Sequence, residues 1–297
     1  MFDKRLRTAL LGLLIATPLL LATPGAAGAS THPVARSDCG AIPTFNRYHF
    51  PEGQQVTNRF LPWVPGTQFV LTGTVDGEPH TVVTTVTDLT KVIDGVRSIV
   101  VLDQDLGSGN VLQETELQMQ AQDADGAVWN LGEYPEVYEN GTLTGAPDTW
   151  IQGLSGAHGG IGMLAHPKTG SPTYLQGLVA DIQFEDCATV FQTGQHVCVP
   201  TGCYDNVLVT DETAPLDPSG GHHRKFYAPG VGLIRTDAIQ DVSPEVLHLT
   251  RLTHLCPQAM AHYRNEALAL DNRGYQVSPD VFAHTPHARK TLQAMSC

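Results

Sequence analysis

Histidines are the residues of this chain whose type and spacing come nearest to a metal centre. Of the 13 histidines, four lie in two turn-rich segments, 153–170 and 214–225. The four are His158, His166, His222 and His223. Imidazole suits zinc and copper(II), so these side chains would form a Zn or Cu site if both segments are loops at one end of a sheet. Such a site predicts a metal-dependent hydrolase or oxidase.

The alternative is that these histidines are scattered over the surface. Neighbouring residues of an extended chain point to opposite faces, so His222 and His223 can bind one metal only if the chain turns between them. The sequence has no G-x-S-x-G, P-loop or HExxH pattern. No known catalytic motif therefore supports the histidine hypothesis.

Carboxylates beside an aromatic ring form a second candidate site. Its residues are Glu114, Glu116, Glu133 and Trp129. Paired carboxylates next to an aromatic side chain can bind or hydrolyse a carbohydrate. Glu114 and Glu116 share one face of a strand as i, i+2 neighbours, a spacing that is also usual on a solvated face. We expect the four residues in or near the concave face of a sheet, where they would bind a ligand.

The cysteine count predicts disulfides. All six cysteines lie beyond residue 38, and an even number in an exported chain predicts three bridges, for which 15 pairings exist. Cys198 and Cys203 flank a turn-like Val-Pro-Thr-Gly sequence. A hairpin there would place their Cβ atoms opposite each other, so we predict this pair. The partners of Cys39, Cys187, Cys256 and Cys297 stay open, and zinc thiolate sites need closer CxxC spacing.

The first 29 residues have the pattern of a secretory signal peptide. Lys4, Arg5 and Arg7 form a basic start, residues 9–22 are apolar, and Ala27-Gly28-Ala29 has the small-x-small cleavage pattern. The apolar run is interrupted by Pro18 and is short for a membrane span. The sequence therefore predicts a secreted or periplasmic protein with no membrane span.

The charge balance argues against polyanionic partners. Without residues 1–29 the chain would carry 14 basic and 29 acidic side chains, a net charge of −15. A negative surface repels phosphate backbones and anionic membranes, and no basic cluster offsets it. Nucleic-acid binding is therefore disfavoured.

Tight-turn signals dominate residues 66–150. The signals are Asp76-Gly77, Asp94-Gly95, Asp125-Gly126 and Asn140-Gly141. Asp-Gly and Asn-Gly favour the type I′ turn that joins two antiparallel strands, and the intervening runs are rich in Val, Thr, Ile and Leu. The pattern predicts a mainly β protein: an antiparallel meander that forms a curved sheet or half-barrel, with one C-terminal helix.

The chain is predicted to have four parts: a signal peptide (1–29), an irregular lead-in (30–56), an antiparallel β domain (57–255), and a C-terminal helix with a tail (256–297). Six glycines in residues 152–172 predict a long loop inside the β domain. The helix is predicted over residues 257–272, because Pro257 fits its first turn and Gly274 would end it.

Four spaced motifs carry a resemblance to a known family. They are NxFxPxxPGT from Asn58, DxTKxIxGV from Asp88, AQDxxGxVWxxGE from Ala121 and YAPGVG from Tyr227. Together they resemble an uncharacterised family of exported bacterial all-β proteins, over about residues 57–240. The resemblance implies export and a β fold and assigns no activity. In architecture alone, the repeated strands also resemble the half-barrels of lipoprotein-carrier proteins.

These observations favour a binding protein over an enzyme. One helix is too small to cover a curved sheet, and an uncovered concave face is a common ligand site. We expect a secreted protein that binds an apolar or envelope-derived ligand in its concave sheet. The metal-dependent enzyme is the alternative, and a structural module that acts through protein contacts is the third class.

Overall fold

The computed structural model describes residues 37–53, 55–217 and 221–291. The predicted signal peptide, the first part of the lead-in and Cys297 lie outside the described residues.

Most of the described chain is β-strand. The strands are β1 Val56–Thr57, β2 Pro62–Trp63, β3 Thr67–Val75, β4 Glu78–Ile93, β5 Val96–Gly107, β6 Val111–Gln122, β7 Val128–Glu139, β8 Thr142–Gly145, β9 Trp150–Ile151, β10 His158–Met163, β11 Tyr174–Val179, β12 Phe184–Val199, β13 Gly202–Thr213, β14 His222–Ala228, β15 Gly232–Ile239, β16 Glu245–His254 and β17 Arg289–Lys290. The helices are α1 Pro257–Val277 and α2 Pro279–Phe282. The predicted fold class, mainly β with one main helix near the C-terminus, is confirmed.

The sheet curves until it closes. Twelve strands follow one another around a barrel in the order β7, β10 to β16, and β3 to β6, and every neighbouring pair is antiparallel. The closing contact joins β7 to β10, where Asn130 pairs with Gly160 and Trp129 pairs with Ile161. The predicted concave face is therefore the inside of a closed wall rather than of a half-barrel.

Three of the four predicted turns have the expected backbone conformation. Both residues have positive φ at Asp76-Gly77, Asp94-Gly95 and Asn140-Gly141, as a type I′ turn requires. The fourth turn differs, because only Gly126 of the Asp125-Gly126 pair has positive φ. There the Asp123 carboxylate accepts hydrogen bonds from the backbone N–H groups of Asp125 and Ala127, and these bonds set the shape of the loop.

The prediction of one long loop over residues 152–172 is wrong, because residues 158–163 form strand β10. A Cβ atom at Gly160 would lie only 2.6 Å from the carbonyl carbon of Gln176, in the neighbouring strand. Glycine is needed here for a close approach of two backbones. The glycine content that predicted a loop is thus part of the barrel wall.

Helix α1 is longer than predicted and lies on the outside of the barrel. It runs past residue 272 to Val277, so the predicted stop at Gly274 is wrong. Gly274 instead lets the Phe282 ring approach the helix, since a Cβ there would lie 2.6 Å from Cε1 of that ring. Ala267 and Leu270 pack against barrel residues such as Leu102 and complete the outer hydrophobic core. None of the described helices is long and apolar enough to span a membrane.

Three ion pairs fix this helix to the barrel. The Lys91 ammonium lies 2.7 Å from the Asp271 carboxylate, and both side chains are almost completely buried. Arg264 binds Asp88 with two hydrogen bonds of 2.7 and 2.6 Å. Arg273 binds Glu136 in a similar way. The barrel supplies one partner of each pair, so the helix has a defined register on the wall.

Two disulfides lie within the described residues. The predicted bridge Cys198–Cys203 is confirmed and closes the β12–β13 hairpin. The second joins Cys39 of the lead-in to Cys187 of β12. Cys256 is also disulfide-bonded, and no described cysteine is free. Disulfides persist in oxidising compartments, so these bridges indicate an extracytoplasmic location.

Candidate functional site

Strand alternation separates the inner face of the barrel from its outer face. Along β16, Glu245, Leu247 and Leu249 are buried, whereas Val246, His248 and Thr250 are not. Successive side chains of a strand point to opposite faces, so the buried set points inward. Residues that pair directly across two antiparallel strands lie on the same face of the sheet. Thr236 pairs with Leu247, and Lys225 pairs with Thr236, so both also point inward.

The same rule identifies the inner face of β5 and β6, where both faces are buried. Leu102 and Leu117 belong to the outer core beneath α1. Their neighbours Asp103 and Glu116 therefore point inward, and the two residues pair directly across the strands. Thr84 of β4 pairs with Asp103 and lies on the same face.

The inner wall of β5–β7 carries a connected group of carboxylates and amides. The side-chain nitrogen of Gln118 donates to Asp103 Oδ2 at 2.8 Å and to Glu116 Oε2 at 3.2 Å. Gln120 donates to Gln118 at 3.1 Å and accepts a hydrogen bond from the Trp63 indole at 2.8 Å. We call Asp103, Glu116 and Glu133, with these amides, the acidic wall.

Glu133 completes the acidic wall on β7. Its two oxygens accept hydrogen bonds from Asn130 at 2.6 Å and from the Trp150 indole at 3.0 Å. Glu133 is completely buried. Its charge raises the pKa of Asp103, which agrees with both carboxylates facing the same interior.

An ion pair lies on the inner wall of β13 and β14. The Lys225 ammonium is 2.8 Å from the Glu212 carboxylate, and both side chains are buried. Burial lowers the pKa of Lys225, but the Glu212 charge and hydrogen bond outweigh it and leave that pKa raised. Thr210 and Tyr227 also donate to Glu212, at 2.8 and 3.3 Å. Lys225 is therefore a fixed positive charge inside the barrel.

Several neighbouring groups shift the pKa of Asp103, and the net shift is upward. Burial raises the pKa of its carboxyl group, and the charge of Glu133 raises it further. The hydrogen bond from Thr84 and the charge of Lys225 act in the opposite direction. The charged form of Asp103 therefore gains from any additional positive charge that comes close.

Three inward-facing polar atoms have no hydrogen-bond partner among the described residues. They are Oδ1 of Asp103, the hydroxyl of Tyr174 and the hydroxyl of Thr236. All three side chains are at least nine-tenths buried. Tyr174 is on the same inner wall as Glu212, whose charge contributes to its raised pKa after burial itself. Buried polar atoms normally have partners, so these atoms indicate a place for a bound molecule or water.

An apolar wall completes the interior. Its residues come from β3, β4, β15 and β16, which are neighbours in the barrel. They are Leu71, Val82, Ile234, Leu247 and Leu249, and each is at most 1% exposed. The barrel thus has an acidic wall on β5–β7 and an apolar wall beside it.

The predicted ligand-binding residues are divided between the two faces of the barrel. Glu116 and Glu133 lie in the acidic wall. Glu114 is on the same face as Glu116, half-buried and paired in register with Asp105. Trp129 is in the outer core, where its ring contacts Phe45 and Phe50, and its indole donates to Asp123 at 2.8 Å.

Sequence reasoning missed Asp103, Gln118, Glu212 and Lys225. Asp103 follows the apolar run Ile99–Leu102, and such a run is typical of a strand covered on both faces. A carboxylate at the end of such a run is itself a signal, because a buried charge needs a partner. Lys225 and Glu212 have no such signal, since only the fold pairs them.

The four predicted metal ligands lie on two separate parts of the barrel. His158 begins β10 and pairs in register with Leu178. His166 is exposed just beyond the same strand. His222 and His223 are on β14, which is separated from β10 by the three strands β11, β12 and β13. The structure does not bring the two pairs together.

His222 and His223 also point to opposite faces, as expected for an extended chain. His222 is exposed and lies 3.3 Å from Asp211, whereas His223 is buried and lies 3.0 Å from Asp241. Within the described ranges, one group of three residues has metal-ligand spacing: His196, Cys198 and Cys203. Both sulfurs are in a disulfide, so they are not thiolates and this group is not a metal site.

Fold and interior together define a closed antiparallel barrel with an acidic, partly apolar lumen.

No protein-family model matches the sequence, and no curated protein matches it either. Among solved structures, the chain is similar to a Bacteroides fragilis protein described as exported, with a YmcC-like fold. The similarity has a TM-score of 0.35 and 14% identity, and covers 66% of this chain and 99% of the other.

Proposed function

We propose that this protein is an exported binding protein that holds a small envelope-derived ligand inside the barrel. The observation that carries the proposal is the set of buried inward-facing polar atoms without partners: Asp103 Oδ1 and the hydroxyls of Tyr174 and Thr236. Leaving such an atom without a hydrogen bond costs about 1–3 kcal/mol. A bound ligand that supplies the missing hydrogen bonds removes this cost.

The number of strands in the barrel supports the proposal. An eight-stranded barrel has an interior that side chains fill or that holds one small ligand, and the diameter grows with strand number. A twelve-stranded wall encloses a wider space. Its mixture of apolar side chains and a few placed polar groups is typical of small-molecule sites. The acidic wall favours a ligand with polar groups over a purely apolar one.

Native mass spectrometry of the exported protein, purified without a histidine tag, tests the proposal. We expect a bound species that survives gel filtration and is released by denaturant. Replacing Ala188, an inward-facing residue that pairs with Glu212, by Trp should reduce the bound fraction by filling part of the lumen. Thr189→Trp changes the next residue, which points outward, and should leave that fraction unchanged.

A protein that carries no ligand after export, and takes up none from an extract of the cell envelope, would contradict the proposal. So would equal ligand retention by the Ala188→Trp and Thr189→Trp variants when both are folded by circular dichroism. The variant pair separates a ligand in the lumen from one bound to the outer surface.

A further inference from the structure

We infer that the Cys198–Cys203 bridge is a redox site: it accepts two electrons from a dithiol and becomes a pair of thiols, with His196 as the group that activates it. The inference goes beyond the proposed function and does not depend on a ligand in the lumen.

The bridge lies near the tip of the β12–β13 hairpin, which extends past the strands on either side of it. The pairing of β12 with β11 ends at Ala188, and the pairing of β13 with β14 begins at Leu208. Beyond those two residues, the described part of the hairpin forms strand pairs only within itself. Cys198 and Cys203 are both exposed, so a thiol in solution can reach either sulfur. Exposed disulfides are the labile ones in thiol–disulfide exchange.

The Cys39–Cys187 bridge provides a contrast within the same chain. Both of its residues are at most 2% exposed. The sulfur of Cys39 also lies 3.6 Å from Oε1 of Glu185. A carboxylate at this distance repels an attacking thiolate and disfavours a leaving one. This second bridge is therefore protected from exchange by burial and by charge.

His196 is placed to act on the exposed bridge. It is two residues from Cys198 on a strand, so the two side chains share a face, and its Nε2 lies 3.6 Å from Cys198 Sγ. Nδ1 of the same ring is 2.6 Å from Oδ1 of Asp205. An ionised carboxylate only accepts hydrogen bonds, so Nδ1 carries a proton and Nε2 faces the sulfur. A carboxylate that orients an imidazole against a sulfur is the arrangement that activates thiols, because a neighbouring histidinium stabilises a thiolate.

The geometry gives the two sulfurs different roles. A thiolate of the dithiol attacks Cys203 Sγ, a new S–S bond forms there, and the bond between Cys203 and Cys198 breaks. Cys198 leaves as a thiolate and takes the proton from Nε2 of His196, which solvent then replaces. The second thiolate of the dithiol attacks the dithiol's other sulfur in the mixed disulfide, and Cys203 leaves and takes a proton from solvent. The dithiol ends as a disulfide, and the bridge has gained two electrons and two protons.

Brief reaction of the folded, oxidised protein with glutathione tests these roles. Glutathione has a single thiol, so the first product is the mixed disulfide, which acid quenching preserves for peptic digestion and mass spectrometry. We expect glutathione on Cys203 about tenfold more often than on Cys198, because the sulfur with the more stable thiolate is the better leaving group. A bridge with a purely structural role has no reason to show this preference.

A matched pair of variants tests the histidine. Reduction of the exposed bridge by dithiothreitol should be slower by about tenfold or more in His196→Asn, which removes the proton donor. His262→Asn changes an exposed histidine on α1 that also has a carboxylate partner, Glu266 at 3.3 Å, and should react at the wild-type rate. In the same wild-type sample, the Cys39–Cys187 bridge should be reduced more slowly than the exposed one by about tenfold or more.

Equal rates for the two histidine variants, equal rates for the two bridges, or glutathione found equally on both sulfurs would each overturn the inference. The sulfur preference of the wild-type protein decides the question even if His196→Asn fails to fold. None of these results bears on a ligand in the lumen, so the proposed function stands or fails by its own experiment.

Discussion

At the scale of single residues, Glu136 shows how a buried carboxylate is kept charged outside the lumen. It is completely buried and accepts hydrogen bonds from Tyr134 and Tyr138, each at 2.7 Å, and from Arg273 at 2.7 and 2.9 Å. Burial alone would raise the pKa of Glu136, but these donors outweigh it and hold the pKa below its usual value. Asp103, with its raised pKa and its unpaired oxygen, has the opposite environment.

Replacing Arg273 by Met should lower the unfolding free energy at pH 7 by about 2–3 kcal/mol. Breaking a buried ion pair costs about 3–5 kcal/mol, and we expect less here because Arg273 is 38% exposed to screening solvent. Glu136 has a depressed folded-state pKa, so its contribution is present above the unfolded-state value and is lost as the pH falls through the folded-state value. The difference between wild type and variant should therefore shrink towards pH 4.

Urea unfolding at pH 7 and pH 4 measures this difference. Arg251→Met changes an exposed arginine of β16 and is the control, expected within about 0.5 kcal/mol of wild type at both pH values. If the Arg273→Met difference had the same size at both pH values, Glu136 would not be the group that the arginine keeps charged.

At the scale of elements, the close pairing of β10 with β11 in the barrel wall depends on a glycine. Gly160 of β10 lies so close to β11 that a Cβ would be 2.6 Å from the carbonyl carbon of Gln176 and 2.8 Å from its Cα. These are backbone atoms and cannot move aside without disturbing the strand. Gly162 lies in the same strand, and a Cβ atom added there would be at least 3.6 Å from any neighbouring atom.

Gly160→Ala should therefore lower the unfolding free energy by about 3 kcal/mol, since forced overpacking costs about 1–3 kcal/mol and occasionally more. Gly162→Ala should be neutral or stabilise by up to about 1 kcal/mol, because it restricts the unfolded chain without a clash. Chemical denaturation of the two variants under the same conditions is the measurement. Equal stabilities would show that the strands can separate at Gly160 without loss.

Glycines in turns and glycines in strands differ in how well the sequence predicts their structural role. The turns at Asp76-Gly77 and Asn140-Gly141 were predictable because positive φ is a local property of two residues. The pairing of β7 with β10 was not, because it joins residues about 30 positions apart through a segment whose glycines are typical of a loop. Whether a glycine serves a turn or a close approach depends on a neighbouring strand that the sequence does not identify.

The candidate site was predictable only where the position of a residue follows from the alternation of its own strand. The inward faces of Glu116 and Glu133 follow from their strands, and both were proposed as ligand-binding residues. The outward position of Trp129 depends on Phe45 and Phe50, which approach from the lead-in. Such a contact between distant segments leaves no periodic signal in the sequence.

At the scale of the whole molecule, the barrel is tied by two disulfides of very different span. Cys39–Cys187 joins residues separated by 148 positions, and Cys198–Cys203 joins residues separated by 5. The long bridge attaches the lead-in to β12, whereas the short one closes a single hairpin. In the chain-entropy model a bridge stabilises by restricting the unfolded chain, and its effect grows with the loop that it closes.

Removing the long bridge should therefore destabilise the protein more than removing the short one. The model gives about 5 kcal/mol for a loop of this length and about 2 kcal/mol for the hairpin. Paired serine variants, Cys39→Ser with Cys187→Ser and Cys198→Ser with Cys203→Ser, should differ accordingly in urea unfolding of the oxidised proteins. Thermal melts of the two double variants should keep the same order. A larger loss from the hairpin variant would mean that the short bridge stabilises the native barrel directly, by holding the ends of β12 and β13 in register. The lead-in would then contribute little to stability, although its phenylalanines cover the outer face of Trp129.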